Sequence, residues 1–313
     1  MDLNEIIRVT EEYAKGQIAM GRTLELDDVS TTREKELYEN FIKTVNSIDS
    51  TPSPCSSFSK MRRDKVLDGT LTTCQSLFGD VIFSDDFFKV LTNATIVTND
   101  SSPYEGMCIY SLNPETKMPM NMKIKIPSLD ISASVPAFTH ESIHAILAFL
   151  DTDPIKKAHY VELLSILGEK AAIRYLFSQY PKLSRELKRL ELCRLEAINR
   201  HTLEMPKVIE DLRFKMMACP ENFSKRELEM LKRVCDSQEQ YSQLLSNAYG
   251  IGYLYGNMLD YYAQDDSKTM QNKLMEMFNS GYTIPELLDY YGINASESKV
   301  YEQAEKSLKR IKK

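Results

Sequence analysis

Pro136-Ala137-Phe138-Thr139-His140-Glu141-Ser142-Ile143-His144-Ala145-Ile146-Leu147-Ala148-Phe149-Leu150-Asp151 is the stretch on which the reading of this chain turns. It predicts a helix over 136–151, and within that helix stands an H-E-x-x-H match. Two histidines at i and i+4 lie on one helical face about one turn apart, so both imidazoles can reach a single Zn²⁺ while Glu141 leans toward its water. The whole chain holds four histidines, so a chance match has a probability on the order of a few in a thousand from composition alone. The competing reading is a helix whose two histidines are satisfied by ordinary partners.

A catalytic zinc site needs a third protein ligand and an open fourth position. The helix expected over 155–179 offers Glu162, 18 residues after His144, and Glu169, 25 after it. Seven residues apart, they share one helical face with Ser165 between them, and one of the two is the ligand. His159, three residues before Glu162, reads as a surface or capping residue near a helix start.

Upstream the pattern turns β-branched and alternating. Thr95–Thr98, Met107–Tyr110 and Met122–Ile126 are short strand candidates separated by Asn-Asp-Ser-Ser-Pro and Asn-Pro-Glu-Thr turns, which predicts one small sheet. Downstream, helices are expected over 184–204, 225–263, 267–279 and 297–312, with Ser224 and Glu227 spaced for a capping box. The N-terminal part reads as helices over 3–20 and 33–48, the second opened by Thr31-Thr32-Arg33-Glu34. A Ser/Pro-rich irregular stretch follows at 50–57, then a further helical region to about residue 92. The expected architecture is therefore mainly α with a small β-sheet: a helical N-terminal region over 1–92 and a motif-bearing region over 93–313, together one compact unit. The charge-rich Arg185–Arg200 segment reads as a solvated face, Tyr261-Tyr262 as helix packing, and the scattered methionines as core filler.

Across its 313 residues the chain carries 39 Lys+Arg against 45 Asp+Glu, a net charge of −6, with 42% hydrophobic residues. This is a globular composition, and its acidic balance argues against a nucleic-acid or anionic-membrane partner. Apolar runs such as Ala145–Leu150 fall far short of the ~20 residues that cross a bilayer. The first residues, Met-Asp-Leu-Asn-Glu, lack the basic start of a signal peptide. Six cysteines without a C-x-x-C pair read as reduced thiols, so a cytoplasmic location is expected.

Tyr160-Val161-Glu162-Leu163-Leu164-Ser165-Ile166-Leu167-Gly168-Glu169 resembles the segment after the zinc helix in the M3 family of metallopeptidases, the oligoendopeptidase F and thimet oligopeptidase group. Tyr249-Gly250-Ile251-Gly252-Tyr253-Leu254-Tyr255-Gly256 is similar to that family's Tyr/Gly-rich helix. Asn279-Ser280-Gly281-Tyr282 through Pro285, Leu288 and Gly292-Ile293 is similar to its closing segment. With the zinc motif these make four landmarks in order, covering roughly residues 95–310. The resemblance implies a zincin-like, gluzincin-type helical fold, one Zn²⁺ per chain held by His140, His144 and Glu162, and Glu169 as an acid that orients a ligating histidine. It further implies Glu141 as general base, with Tyr253 and Tyr249 as phenols facing the substrate carbonyl.

The activity so implied is zinc-dependent hydrolysis of internal peptide bonds in oligopeptides, with a degenerate, non-catalytic peptide-binding module as the alternative. Two departures stand out. Ile143 occupies the place of the family's usual glycine and Leu147 that of an extra histidine, which implies different packing behind the zinc helix. The helical lobe before the catalytic half is also short, so a substrate channel would be shallower or completed by a second copy of the chain, making a homo-oligomer an expected partner. Gly250, Gly252 and Gly256 follow no strand, which excludes a dinucleotide fingerprint. Each costs about 1 kcal/mol in a helix, so they are expected to allow close backbone approach to the zinc helix or to substrate.

Overall fold

Alternation along one strand seats the sheet on the helix that bears the motif. In β3 (Pro119–Ile126) Met122, Ile124 and Ile126 point one way and are buried, while Lys123 and Lys125 point the other. β3 is the centre of a three-stranded sheet, pairing in parallel with β1 (Thr95–Thr98) and antiparallel with β2 (Met107–Leu112), so that the order is β1-β3-β2. Register is fixed by pairs such as Ile96 with Ile124 and Cys108 with Ile124, with an irregularity between Ile109 and Ser111. The expected Asn-Pro-Glu-Thr turn is closed by the Asn113 side chain, which accepts from the amides of Glu115 and Thr116 at 2.9 and 3.0 Å. The three strands stand where the alternation placed them, two of them longer than expected.

The computed structural model describes residues 58–78, 95–98, 106–113, 115–116, 119–126, 128–150, 158–199, 242–263, 284–290, 292–294 and 296–312, with short pieces between 211 and 228 and residue 276. The expected helices at 3–20, 33–48 and 267–279 and the Ser/Pro stretch at 50–57 lie outside the described residues, residue 276 apart. Among the described residues the chain is mostly helical, as expected. Helix α1 is Arg63–Phe78, α2 Ser134–Leu150, α3 Ala158–Gln179, α4 Ser184–Asn199 entered through a 3₁₀ turn at Pro181–Leu183, α5 Ser242–Ala263, α6 Ile284–Tyr290 and α7 Glu297–Lys312. Of the helix expected over 225–263, its first turn and α5 are described. The Ser224–Glu227 capping box forms, each residue's side chain bonding the other's amide at 2.8 and 3.2 Å. Helix α6 was not anticipated; it ends at Gly292, whose left-handed φ of 71° lets the amide of Ile293 reach the Leu288 carbonyl at 2.7 Å. No helix among the described residues is long and apolar enough to cross a membrane.

α2 is buried on nearly every side, as its mean composition demands: from Val135 to Ala148 only His144 is partly exposed. One side meets the sheet, where Phe138, Ala145 and Ala148 pack on Met122, Ile124 and Ile126. The other meets α3, and there Gly168 resolves the first departure noted in the sequence. A Cβ on Gly168 would stand 2.1 Å from Ile143 Cδ1, so the glycine of the neighbouring helix makes room for the isoleucine of the motif. α3 in turn is clasped by α5. The glycines of α5 serve that crossing rather than a contact with α2: a Cβ on Gly252 would lie 2.9 Å from Glu162 Cβ and 3.0 Å from the Leu163 amide nitrogen, and one on Gly256 2.8 Å from Ile166 Cγ2. A second apolar cluster, with Val66, Val135, Ile173, Leu176, Leu187 and Leu190, ties α1, α2, α3 and α4 together.

Because the obstacle at Gly252 is α3 backbone, which cannot rotate away, Gly252→Ala should force the two helices apart. The expected cost is about 1–3 kcal/mol of stability, read by chemical denaturation. Unchanged stability would show that α3 and α5 are not in this contact.

Candidate metal centre

The i, i+4 spacing does what was expected of it. From α2, the Nε2 atoms of His140 and His144 come within 2.8 Å of each other. From α3, Glu162 sets Oε2 3.6 Å from His140 Nε2 and Oε1 3.4 Å from His144 Nε2. One donor atom from each residue lies within 4.8 Å of the others, which makes the three a candidate metal-binding group. Gly252 decides Glu162's place, since any side chain there would push against the Glu162 Cβ. His140 and Glu162 are buried; His144 is the partly exposed member, so the group opens on its side.

Behind the histidine stands a second layer. Glu169 Oε1 lies 2.5 Å from His140 Nδ1, a close ionic contact off the line of an ideal hydrogen bond, and Arg194 from α4 closes on the same oxygen. With a carboxylate at Nδ1, His140 keeps its proton there and turns Nε2 toward His144 and Glu162. Glu141 sits beside this set without belonging to it. It is buried, and the start of β2 runs over it so closely that a Cβ on Gly106 would come within 2.7 Å of its Oε1; the Cys108 amide donates to its carboxylate.

Among the described residues around the histidines, four buried carboxylates (Glu141, Glu162, Glu169, Glu191) face two buried cations (Lys170, Arg194), and Arg174, which also acts on Glu191, is paired with Asp260, so negative groups are in excess by two when the imidazoles are neutral. Protonation answers that excess. Burial pushes Glu141 up to about 7, with Glu169 adding to it against His140 and Arg194. Burial raises Glu162 to about 8, assisted by Glu141 and Glu169. Burial opposes charge on His140, but Glu169, then Glu141 and Glu162, outweigh it and lift the imidazole to about 9. His144 goes the other way, held neutral by burial and by the charge on His140. Glu169 stays below the usual carboxylate range despite its burial, because Arg194 and His140 flank it. Glu162 Oε2, buried, has no hydrogen-bond partner. Two imidazole nitrogens, a carboxylate and an unbalanced charge of two fit a divalent cation.

The other residues singled out in the sequence fall as follows. Tyr253 is 1% exposed, beneath the Lys170 ammonium, which lies 5.0 Å from its ring centre. Burial, with Glu191 next, pushes its phenol well above the usual range, and its hydroxyl has no hydrogen-bond partner. Tyr249 is on α5 one turn earlier, and His159 is on α3; both side chains lie outside the described residues. Ser165 is fully buried between the two acids.

The reading of Arg185–Arg200 as a solvated face is corrected. Glu191 and Arg194 are buried at 3% and 8% exposure, and Glu191 pairs with Lys170 at 2.5 Å. The signal was present, since residues 187, 190, 191 and 194 form one helical stripe in which two leucines keep company with the two charges. Gly106 and Gly168 were also missed, because nothing local marks the atoms they approach.

No family model matches the chain, and no curated protein does. A solved structure from Bacillus anthracis str. Ames, assigned as an oligoendopeptidase F, is similar to it with a TM-score of 0.48 and 12% identity. That likeness covers 100% of this chain and 56% of the other, so this chain spans little more than half that protein's length.

One divalent ion per chain is expected by elemental analysis, and it should be lost in His140→Ala and in His144→Ala. Glu162→Gln should weaken binding more than Glu169→Gln, whose outer position costs about 10–100-fold. Since His140 at about 9 and Glu162 at about 8 both hold protons at pH 7 that a cation must displace, metal binding should release protons. Calorimetry at pH 7 in buffers of different ionisation enthalpy reads this release; a buffer-independent heat would contradict it.

Proposed function

We propose that this protein is a zinc-dependent endopeptidase of M3-like type that cleaves internal bonds of oligopeptides, with zinc held by His140, His144 and Glu162. The observation that carries the reading is the division of labour among the buried acids: Glu162 joins the two imidazoles, while Glu141, on the same helix as the histidines, lies outside that group under Gly106 and the start of β2. A structural metal site has no use for such a group, whereas a general base works best when its pKa lies close to the operating pH. Zinc in this set supplies Lewis-acid polarisation of the scissile carbonyl and makes a water acidic enough to react near neutral pH.

The chain's own residues do the rest. Glu141 accepts the proton of the attacking water at its carboxylate and passes it to the leaving amine. Glu169 holds the Nδ1 side of His140 and so orients the ring. The start of β2, pressed against Glu141 at Gly106, limits how that carboxylate can turn. The oxyanion donor comes from α5. Tyr249 is the first choice, because Tyr253 at 1% exposure could donate to substrate only if α5 moved. The resemblance of the 160–169, 249–256 and 279–293 segments to M3 peptidases supports the substrate class. Of the two features that favour the degenerate alternative, the short N-terminal lobe and Ile143, the second weighs less because Gly168 makes room for the isoleucine.

Glu141→Gln keeps size and metal but cannot accept a proton, so kcat on a quenched fluorescent peptide should fall by about 10²–10⁴ with metal content unchanged. The wild-type activity should vanish with chelator and return with zinc. A metal-loaded wild type that binds peptides but cleaves no more than Glu141→Gln would leave the binding module as the better reading. Tyr253→Phe should change kcat by no more than about threefold, whereas a loss of 10²–10³ would assign the oxyanion role to Tyr253.

A further inference from the structure

We infer that Arg194, on a helix that supplies no metal ligand, is a positioning residue for the metal centre, acting through Glu169 on His140. This rests on the proposed metal site and extends it by one helix. Three elements meet in a line: α2 gives His140, α3 gives Glu169 within 2.5 Å of its Nδ1, and α4 gives Arg194 closing on the same Glu169 oxygen. All three residues are buried, so none is oriented by solvent.

Geometry decides what each end does. A carboxylate can settle against Nδ1 of an imidazole in several rotations, and only some of them aim Nε2 at the other ligands. Arg194 is permanently charged and sets one nitrogen, Nη2, on the same Glu169 oxygen that faces His140 Nδ1, so that oxygen is held in one place between cation and ring. Arg194 can serve this way because α4 is itself fixed: Leu187 and Leu190 lock into the cluster with Val66, Val135 and Ile173, and Glu191, one turn before Arg194, pairs with Lys170 next to Glu169 in sequence. The result is a relay in which α4, through Arg194 and Glu169, sets the ring of a metal ligand carried by α2.

Apo protein loaded with cobalt(II) reads this directly, by affinity in competition with a chromophoric chelator and by the visible absorption bands that report ligand geometry. Arg194→Met should lower affinity about 10–100-fold and alter the bands, while Arg194→Lys, which keeps the charge on a shorter, unbranched head, should fall between it and wild type. Val300→Ala, buried on α7 and off this line, should destabilise the fold, read by thermal melting, with bands unchanged, which separates positioning from a general loss of stability. Arg194→Met strands a buried carboxylate and so endangers folding; the double variant with Glu169→Gln does not, and it should match Glu169→Gln alone because the two residues act in series. Wild-type affinity and bands in folded Arg194→Met, or full additivity in the double variant, would overturn the inference. A wild-type chain that binds no cobalt would instead overturn the metal site on which it rests.

Discussion

Burying a carboxylate in a helical core costs several kcal/mol unless charge or hydrogen bonds compensate it, and Glu162 is buried with one oxygen unpartnered. That buried carboxyl group is the constraint around which the site is arranged. It is held in place by a helix crossing that tolerates no side chain at position 252, and it faces two imidazoles from a helix that is itself enclosed by sheet and helix. Among the described residues Arg194 serves Glu169 and Lys170 serves Glu191, which leaves Glu162 to the imidazoles. A divalent ion removes the imbalance, and natural cores retain such an arrangement only where the binding energy of a partner repays it.

The order of layers follows from that need. Ligands from α2 and α3 form the inner set, Glu169 fixes the inner histidine, and α4 fixes Glu169. Glu169 and Arg194 are both buried behind that set, while His144 is its partly exposed member. Glu141 has a different standing. It shares the burial and the field of the others but lies under the first residues of β2 instead of against the imidazoles, so it can exchange a proton without disturbing the ligand set.

What the sequence revealed and what it hid divide along one physical line. The grouping of His140 with His144, and of Glu162 with Glu169, was legible because each is local: i, i+4 and i, i+7 spacings dictate shared helical faces. The strands were legible for the same reason, through period-two alternation such as Met122, Ile124 and Ile126. Which of the two acids meets the histidines is a matter of how α3 crosses α2, and the choice of Glu162 came only from the resemblance of residues 160–169 to M3 peptidases. Arg194 and Glu191 were misread as solvated, because their burial depends on how α4 is rolled against α3, which no local rule specifies. The match of Gly168 to Ile143 and of Gly106 to Glu141 is likewise a property of registers between elements. The glycines of α5 were recognised as contacts of close approach, but their partner is the helix of the third ligand and not the helix of the motif.

X-ray absorption at the zinc edge on the purified protein loaded with one equivalent of zinc tests the central claim most directly, because it sees donor atoms rather than their consequences. Two imidazole nitrogens at about 2.0–2.1 Å and carboxylate or water oxygens at about 2.0–2.2 Å, in a four- or five-coordinate shell, are expected. A shell containing sulfur at about 2.3 Å, or one with no imidazole scattering, would place the metal elsewhere and contradict the reading of His140, His144 and Glu162 as its ligands.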